Sequence, residues 1–259
     1  MIRPLPALPG WRHLALEDVG STNTVCAEHF LQGDPGRLWV TARRQLAGKA
    51  RRGRAWVSEP GNLYASLLLE NPAPQDKLLG LPLVVSLALH RALLAAVPAL
   101  ENSLAIKWPN DLLLGGRKLS GILMEGQWDA SSQRSGIIIG CGINCAHFPD
   151  NPLYPATSLK ASGFDLEPAA LFDHFTRTMA ETLAQWDQGR GFAAIRTEWL
   201  ARAKGRGEMI TARFDDHSIS GHFVDLDDEG YLLLRDERGA MRQISAADIF
   251  FGNFPPETA

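Results

Sequence analysis

Residues 43 to 54 read R-R-Q-L-A-G-K-A-R-R-G-R and hold six cations, Arg43, Arg44, Lys49, Arg51, Arg52 and Arg54, with no acid among them. Like charges packed this closely repel one another. The segment is therefore predicted to stay loose until an anion orders it, and Gly48 and Gly53 give the backbone the freedom to wrap that anion. Its chemistry is neutralisation of a charged small molecule or of a nucleic-acid phosphate chain, and a solvated basic loop has the same composition. Trp56 follows closely, with a flat face that suits stacking on a base or burial in a core.

A second polar group, Lys107-Trp108-Pro109-Asn110-Asp111, lies between two apolar runs. Pro109 disfavours helical backbone at Trp108, and Pro-Asn-Asp is turn chemistry. Asn110 and Asp111 are thus predicted to project from a tight strand-to-strand connection, where Asp111 either serves a ligand or caps its own turn. Lys118 then opens the strand K-L-S-G-I-L-M-E. Strict alternation puts it on one face with Ser120, Ile122 and Met124, a half-apolar surface where an ammonium wants an anion, unless it only blunts a sheet edge. Ser21-Thr22-Asn23-Thr24 precedes an amphipathic run with Val25, Phe30 and Leu31 and reads as a helix N-cap, although capping employs only one of these side chains. Gly140-Cys141-Gly142-Ile143-Asn144-Cys145 follows a strand but fails as a dinucleotide fingerprint, because the third glycine is absent and Pro149 and Pro152 oppose a following helix. No G-x-x-x-x-G-K-[ST] or H-E-x-x-H segment occurs, and the seven histidines are scattered. That pattern gives a fixed metal site little support.

The elements that must carry these groups alternate between strand and helix periods. The chain has 259 residues, 45% hydrophobic and 21% charged, with a net charge of −3. This is globular composition, and the length suits one large domain with a small one. Strands are predicted at 38–42, 63–69, 104–107, 112–114, 118–125 and 136–143, with Gly115-Gly116 as a two-residue hairpin loop. Residues 76–98 read as a buried helix. Residues 167–189 read as an amphipathic one, with Leu171, Phe172, Phe175, Met179, Leu183 and Trp186 on its apolar face, and a shorter helix carries Phe192, Ile195 and Trp199. Hairpins with few helices predict an α+β fold. From Glu208 to Gly252 ten acids face four basic residues, and acidic turns at 215–218, 227–230 and 236–239 separate short apolar runs. This predicts a small antiparallel β-barrel or sandwich of about five strands, and a division into residues 1–206 and 207–259. The first 207 residues hold 22 Lys plus Arg against 18 acids, so the two parts differ in sign. Met1 to Gly10 has no apolar signal core, and no uncharged apolar stretch approaches the roughly 18 residues of a membrane span. With Cys26, Cys141 and Cys145 at no disulfide-framework spacing, the expectation is a cytoplasmic protein that does not engage a membrane.

In this order and at these spacings, Ser21-Thr22-Asn23, Gln45, G-K-A-R-R-G-R-A-W at 48–56, K-W-P-N-D at 107–111, K-L-S-G-I-L-M-E at 118–125 and G-C-G-I-N at 140–144 resemble the motifs of the biotin protein ligases. The resemblance takes in the acidic C-terminal part as well. It departs in the loop, where the family usually has G-R-G-R-R-G-R: Lys49 replaces the first arginine, a point charge for a bidentate fork, and Ala50 replaces the second glycine. With few residues before Ser21, it implies the monofunctional type that lacks an N-terminal DNA-binding domain.

The implied fold is a mixed-sheet catalytic domain, akin to class II aminoacyl-tRNA synthetases and biotin ligases, followed by a small β-barrel. The implied activity is ATP-dependent attachment of biotin to a lysine of an apo biotin carboxyl carrier protein through biotinyl-5′-AMP. Mg²⁺ would arrive with ATP rather than at a fixed protein site. By the same resemblance Lys118, Asp111 and Arg51 are catalytic. Ser21, Thr22, Asn23, Gln45, Lys49, Ala50, Arg51, Lys118 and Gly121 bind biotin, and Arg51, Arg54, Trp56, Asn110, Lys118 and Asn144 bind ATP. Family members often pair through the central sheet, so a homodimer is among the implied partners. The rival on this fold is a lipoate or octanoate ligase or transferase, against which K-W-P-N-D and the double-arginine loop favour biotin. A nucleic-acid binder is disfavoured by the negative net charge, the acidic C-terminal part and the lack of a recognition module.

Overall fold

A computed structural model describes residues 1–150 and 154–251 of the chain. Pro152 and Gly252, both used above, lie outside the described residues. In chain order the elements are β1 (Arg3–Pro4), β2 (Arg12–Val19), α1 (Thr22–Leu31), β3 (Leu38–Gln45), β4 (Leu63–Glu70), α2 (Leu81–Ala96), β5 (Leu104–Lys107), β6 (Asp111–Leu114), β7 (Arg117–Asp129) and β8 (Arg134–Ile143). They continue with α3 (Pro168–Trp186), α4 (Phe192–Leu200), β9 (Met209–Arg213), β10 (Ser218–Leu226), β11 (Leu232–Asp236), β12 (Met241–Ile244) and β13 (Asp248–Phe251). Strands β1 to β8 make one sheet in the order β1-β2-β3-β4-β8-β7-β6-β5, and β9 to β13 make a second in the order β12-β11-β10-β9-β13. The large sheet is mixed, since β2 and β3 run parallel while their neighbours are antiparallel.

Strand β4, L-Y-A-S-L-L-L-E, is covered on both faces, which is why it reads as nearly continuous apolar sequence. Leu63, Ala65, Leu67 and Leu69 join Ile139, Cys141 and Ile143 of β8 in the main core with α2 and α3. Its opposite face puts Leu68, with Ile138, against Cys26 and Phe30 of α1. Helix α1 covers only part of that second face, and the uncovered part next to its N-terminus becomes the cavity described below. Strand β2, missing from the strands predicted above, pairs with β3 near one edge of the sheet. Its alternation is masked by exposed or half-buried charges such as Arg12, which pairs with Asp34, and Glu17, which pairs with Arg43.

Helix α2 together with the six-residue 3-10 helix before it forms a 22-residue apolar stretch, Gln75–Ala96, long and apolar enough by composition to cross a membrane. Asp76, Lys77 and Arg91 interrupt it, so its uncharged run, residues 78–90, stays short of a membrane span, as expected. Its apolarity serves the protein interior: Leu83, Val84, Val85, Leu87, Ala88 and Leu89 are all buried in the main core. Two buried hydrogen bonds tie its neighbours on, Trp199 Nε1 to Ser86 Oγ (2.9 Å) and Thr178 Oγ1 to the Ala88 carbonyl (2.9 Å).

In the second sheet the acidic turns form by side-chain acceptance of backbone N–H groups. Asp227 Oδ1 accepts from Glu229 and Tyr231, and Asp236 Oδ1 from Arg238 and Ala240, so these acids shape turns. The second sheet is tied to the rest where the Trp108 indole N–H donates to the Gly230 carbonyl (3.1 Å) and where Arg196 Nε of α4 donates to the Leu226 carbonyl (2.7 Å). Leu87 is fully buried between helices and sheet. Leu87→Ala is expected to destabilise the protein by about 2–5 kcal/mol in urea unfolding followed by circular dichroism. A change below about 0.5 kcal/mol would contradict the packing described.

Candidate functional site

On the α1 face of the large sheet lies a cavity of about 820 Å³, bounded by the N-terminus of α1, by β7 and β8, and by the basic loop. Ser21, Thr22, Asn23, Gln45, Lys49, Ala50, Arg51, Arg54, Trp56, Asn110, Asp111, Lys118, Gly121 and Asn144 all line it. Its floor is bare backbone. A β-carbon at Gly142 would come within 2.5 Å of the Trp56 indole, and one at Gly140 within 2.3 Å of Asn23 Oδ1. Between them Cys141 turns to the core. The Gly-x-Gly of β8 therefore lets side chains lie flat on the sheet, a use of glycine for close approach rather than for a dinucleotide pyrophosphate. Gly121 of β7 extends the floor, its missing β-carbon 3.1 Å from the same indole.

The side chains that line one end of the cavity, Ser21, Thr22, Asn23 and Gln45, are polar and uncharged. Ser21 stands at the N-cap of α1 in extended conformation but makes no side-chain capping bond, so the capping role predicted above is not taken by its hydroxyl. Thr22 donates to Gln45 Oε1 from its backbone N–H (2.9 Å) and from Oγ1 (3.0 Å), while Gln45 Nε2 donates to Ser58 Oγ (3.0 Å). Ser66 Oγ lies 2.7 Å from Thr22 Oγ1 and 2.6 Å from Asn23 Oδ1, and Asn23 Nδ2 donates to Glu125 Oε2 (2.6 Å). Ser66 and Glu125 escaped the sequence reading. Ser66 had a signal, as the one serine inside the apolar strand β4, where a buried polar group must find partners.

The other end is charged. Lys118 Nζ sits 2.7 Å from Asp111 Oδ1, with the Trp56 ring centroid 5.7 Å away. Alternation had put Lys118 with Ser120, Ile122 and Met124, and the structure corrects this. Leu112 pairs with Ser120 but Leu113 with Lys118, which leaves Leu119 as an extra residue in β7. This β-bulge turns Lys118 over to the cavity face, where a β-carbon at Gly121 would lie 3.4 Å from its Cε and Nζ. Asp111 starts β6 beside the cis Trp108–Pro109 peptide, and Gly115-Gly116, both at positive φ, close the β6–β7 hairpin as predicted. Asn110 accepts from Arg51 Nη1 (2.9 Å) and donates to the Ile122 carbonyl, while Asn144 Nδ2 is engaged by the Thr157 carbonyl (3.0 Å).

The basic loop is folded rather than loose. Lys49 bridges Ala55, Ala50 N–H donates to the Arg54 carbonyl (2.7 Å), and Trp56 N–H donates to the Gly48 carbonyl (2.9 Å). The anions that order it come from the chain itself: Arg52 pairs with Asp215 (3.1 Å) and Asp248 (3.2 Å), and Arg54 with Asp248 (3.5 Å). Arg43 pairs with Glu17, and Arg44 with Glu59, an acid of the cavity lining. Ala50 has φ −120°, a conformation open to any residue, so alanine in place of the family's glycine carries no backbone cost there. Asp248 and Lys107 are further residues the sequence reading missed as site components, because each acts across the two sheets.

Trp56 should report the glycine floor. In Gly142→Ala the indole must lift, and tryptophan emission is expected to shift and become more accessible to acrylamide. The same substitution in a Trp56→Phe background should leave emission unchanged. An unshifted spectrum in the first case would show that the indole does not rest on β8.

Comparison with known proteins agrees with this geometry. The Biotin/lipoate A/B protein ligase family matches residues 16–144, and the Biotin protein ligase C terminal domain matches residues 206–252. The chain is 40% identical to a biotin–[acetyl-CoA-carboxylase] ligase of Paracoccus denitrificans over 85% of its own length and 92% of that protein's. It is 34% identical to the bifunctional ligase/repressor BirA of Bacillus subtilis, over 93% of this chain and 74% of the relative. Among solved structures, the biotin protein ligase of Aquifex aeolicus in complex with biotin and ATP superposes with a TM-score of 0.78 at 26% identity, covering 93% of this chain and 99% of the other. Fold, cavity and relatives together place the chain in the biotin protein ligase family.

Proposed function

We propose that the protein couples biotin to a lysine of an apo biotin carboxyl carrier protein or domain, in two steps through biotinyl-5′-AMP. The observation that carries this is the Lys118–Asp111 pair, which stands in one cavity between an uncharged hydrogen-bonding end and an arginine-rich end. The ureido ring of biotin is neutral and offers both donors and acceptors, which suits Ser21, Thr22, Asn23 and Gln45. Its tail then runs over Gly121 towards Lys118, with Lys49 and Ala50 closing the cavity above it. ATP takes the cationic end. Arg51 and Arg54 meet its phosphates, Trp56 lies beside its base, and Asn110 and Asn144 border the nucleotide. The known ligands of the Aquifex aeolicus relative, biotin and ATP, support this division.

In the first step a biotin carboxylate oxygen attacks the α-phosphorus. The new O–P bond makes the mixed anhydride, and the bond to pyrophosphate breaks. Both reactants are anionic, and the Lys118 ammonium between them lowers that repulsion most where charge is densest, in the transition state. Mg²⁺ accompanies the triphosphate. Among the described residues no three His, Cys, Asp or Glu side chains are grouped to hold a metal, so the ion would arrive with ATP and offset the charge of its phosphates. In the second step the acceptor amine attacks the acyl carbon, AMP leaves with the bridging oxygen, and Asp111 orients the amine and takes its proton. The basic loop keeps water from the anhydride meanwhile. Three unpaired, buried cysteines suit the reducing cytoplasm in which we place the enzyme.

A lipoate ligase would need an apolar slot where the Thr22–Gln45–Ser66–Asn23 network stands. The dithiolane ring cannot satisfy those groups. Calorimetry is expected to show biotin binding at least about a thousandfold tighter than lipoate, and equal affinities would overturn the assignment. Purified protein with biotin and Mg·ATP should release pyrophosphate, and Lys118→Ala should slow that release by at least about a hundredfold. No release from the parent protein would refute the proposal.

A further inference from the structure

Lys107 ends β5 and pairs in register with Asp111 of β6, and its ammonium enters an aromatic cage whose nearest ring, Tyr154, also lines the cavity. Nζ lies 4.3 Å from the ring centroid of Tyr154, 5.8 Å from that of Phe251 and 6.0 Å from that of Phe250. The residue is 7% exposed, and among the described residues no carboxylate forms an ion pair with it. An ammonium removed from water and held by π faces is costly to place, and a neutral aliphatic side chain would fill the same space more cheaply. Two of the three rings belong to β13, the strand that starts at Asp248, and Asp248 is the acid that holds Arg52 and Arg54 of the basic loop. Tyr154 has both Arg54 and Asp248 beside its hydroxyl.

Accepting the ligase activity proposed above, we infer that Lys107 is a positioning residue for the nucleotide. Its caged charge clamps β13 of the C-terminal sheet onto the Lys107–Asp111 turn, and through Asp248 sets where the arginines of the loop stand when ATP enters.

The clamp depends on protonation. Burial pushes the Lys107 pKa down to about 8, with Asp111 and Asp248 opposing that shift and Lys118 and Arg51 reinforcing it. The other charges facing the cage are Arg213 over Phe250 and Lys204 over Phe251. The charge is therefore present below about pH 8 and lost as the pH rises through it. Lys107→Met keeps the stem and removes the charge, and Lys107→Arg keeps a charge at every pH. Pyrophosphate release would be measured from pH 7 to 9.5 with biotin and ATP varied separately, after circular dichroism has confirmed folding. For the parent, KM for ATP is expected to rise about fivefold across pH 8 with KM for biotin flat. Lys107→Met should show the raised ATP KM at all pH values, and Lys107→Arg should hold it low throughout. Phe251→Leu, which takes one ring from the cage, should move ATP KM in the same direction by a smaller factor, and serves if Lys107→Met does not fold. Parent-like ATP KM and pH dependence in Lys107→Met or, failing that, in Phe251→Leu would overturn the inference. So would a fall in kcat with both KM values unchanged. No release by the parent at any pH would instead refute the ligase reading.

Discussion

Like charges gathered in one cavity repel, and nearby counter-charges and polar partners must offset that repulsion. Four of the cations around this cavity, Arg51, Arg54, Lys49 and Lys118, are gathered within one volume, and Lys118 is compensated by Asp111 at 2.7 Å. Much of the architecture maintains that one pair. The β6–β7 hairpin brings the two strands together, and the bulge at Leu119 turns the lysine to the acid's side. The cis Trp108–Pro109 turn sets Asp111 at the start of its strand, and the indole of Trp108 anchors that turn to Gly230 of the other sheet. In the proposed reaction an entering carboxylate and phosphate offer Lys118 stronger partners than one acid and leave Asp111 to meet an incoming amine, so that one pair would serve both halves of a two-step acyl transfer.

The neutral end follows a different logic. There Thr22 bonds to Gln45, Ser66 to Thr22 and Asn23, and Asn23 to Glu125. A buried network of this kind is rigid, and it rejects a ring that cannot replace the bonds it breaks. It sits on strands and a helix start rather than on loops, which holds it to narrow tolerances. The bare glycines of β7 and β8 then supply depth, since the Trp56 ring and the Asn23 amide lie directly against the sheet.

Most of the strands and all the longer helices were legible in the sequence, because apolar periodicity reports burial and β4, α2 and α3 are buried in simple ways. Strand β2 was not, since its charged residues hide a short alternation behind surface ion pairs. The cavity lining was legible as a set of motifs, but the face of Lys118 was not: alternation assigns it wrongly, and only the extra residue at Leu119 reverses it. A bulge leaves no local signature in composition. The loop was expected to be disordered by its own repulsion, and that argument failed because its counter-ions, Asp215 and Asp248, lie some 160 to 200 residues away in the chain. The same distance hid Lys107, whose cage is assembled from two sheets.

A crystal structure of the protein with a non-hydrolysable biotinyl-5′-AMP analogue addresses the charge exchange at Lys118 directly. The account predicts the ammonium within about 3 Å of an oxygen of the acyl-phosphate linkage and drawn off Asp111. The ring system should meet Thr22, Asn23 and Gln45, and the adenine should lie beside Trp56. An analogue bound elsewhere, or a Lys118 still paired with Asp111 and out of reach of the linkage, would contradict it.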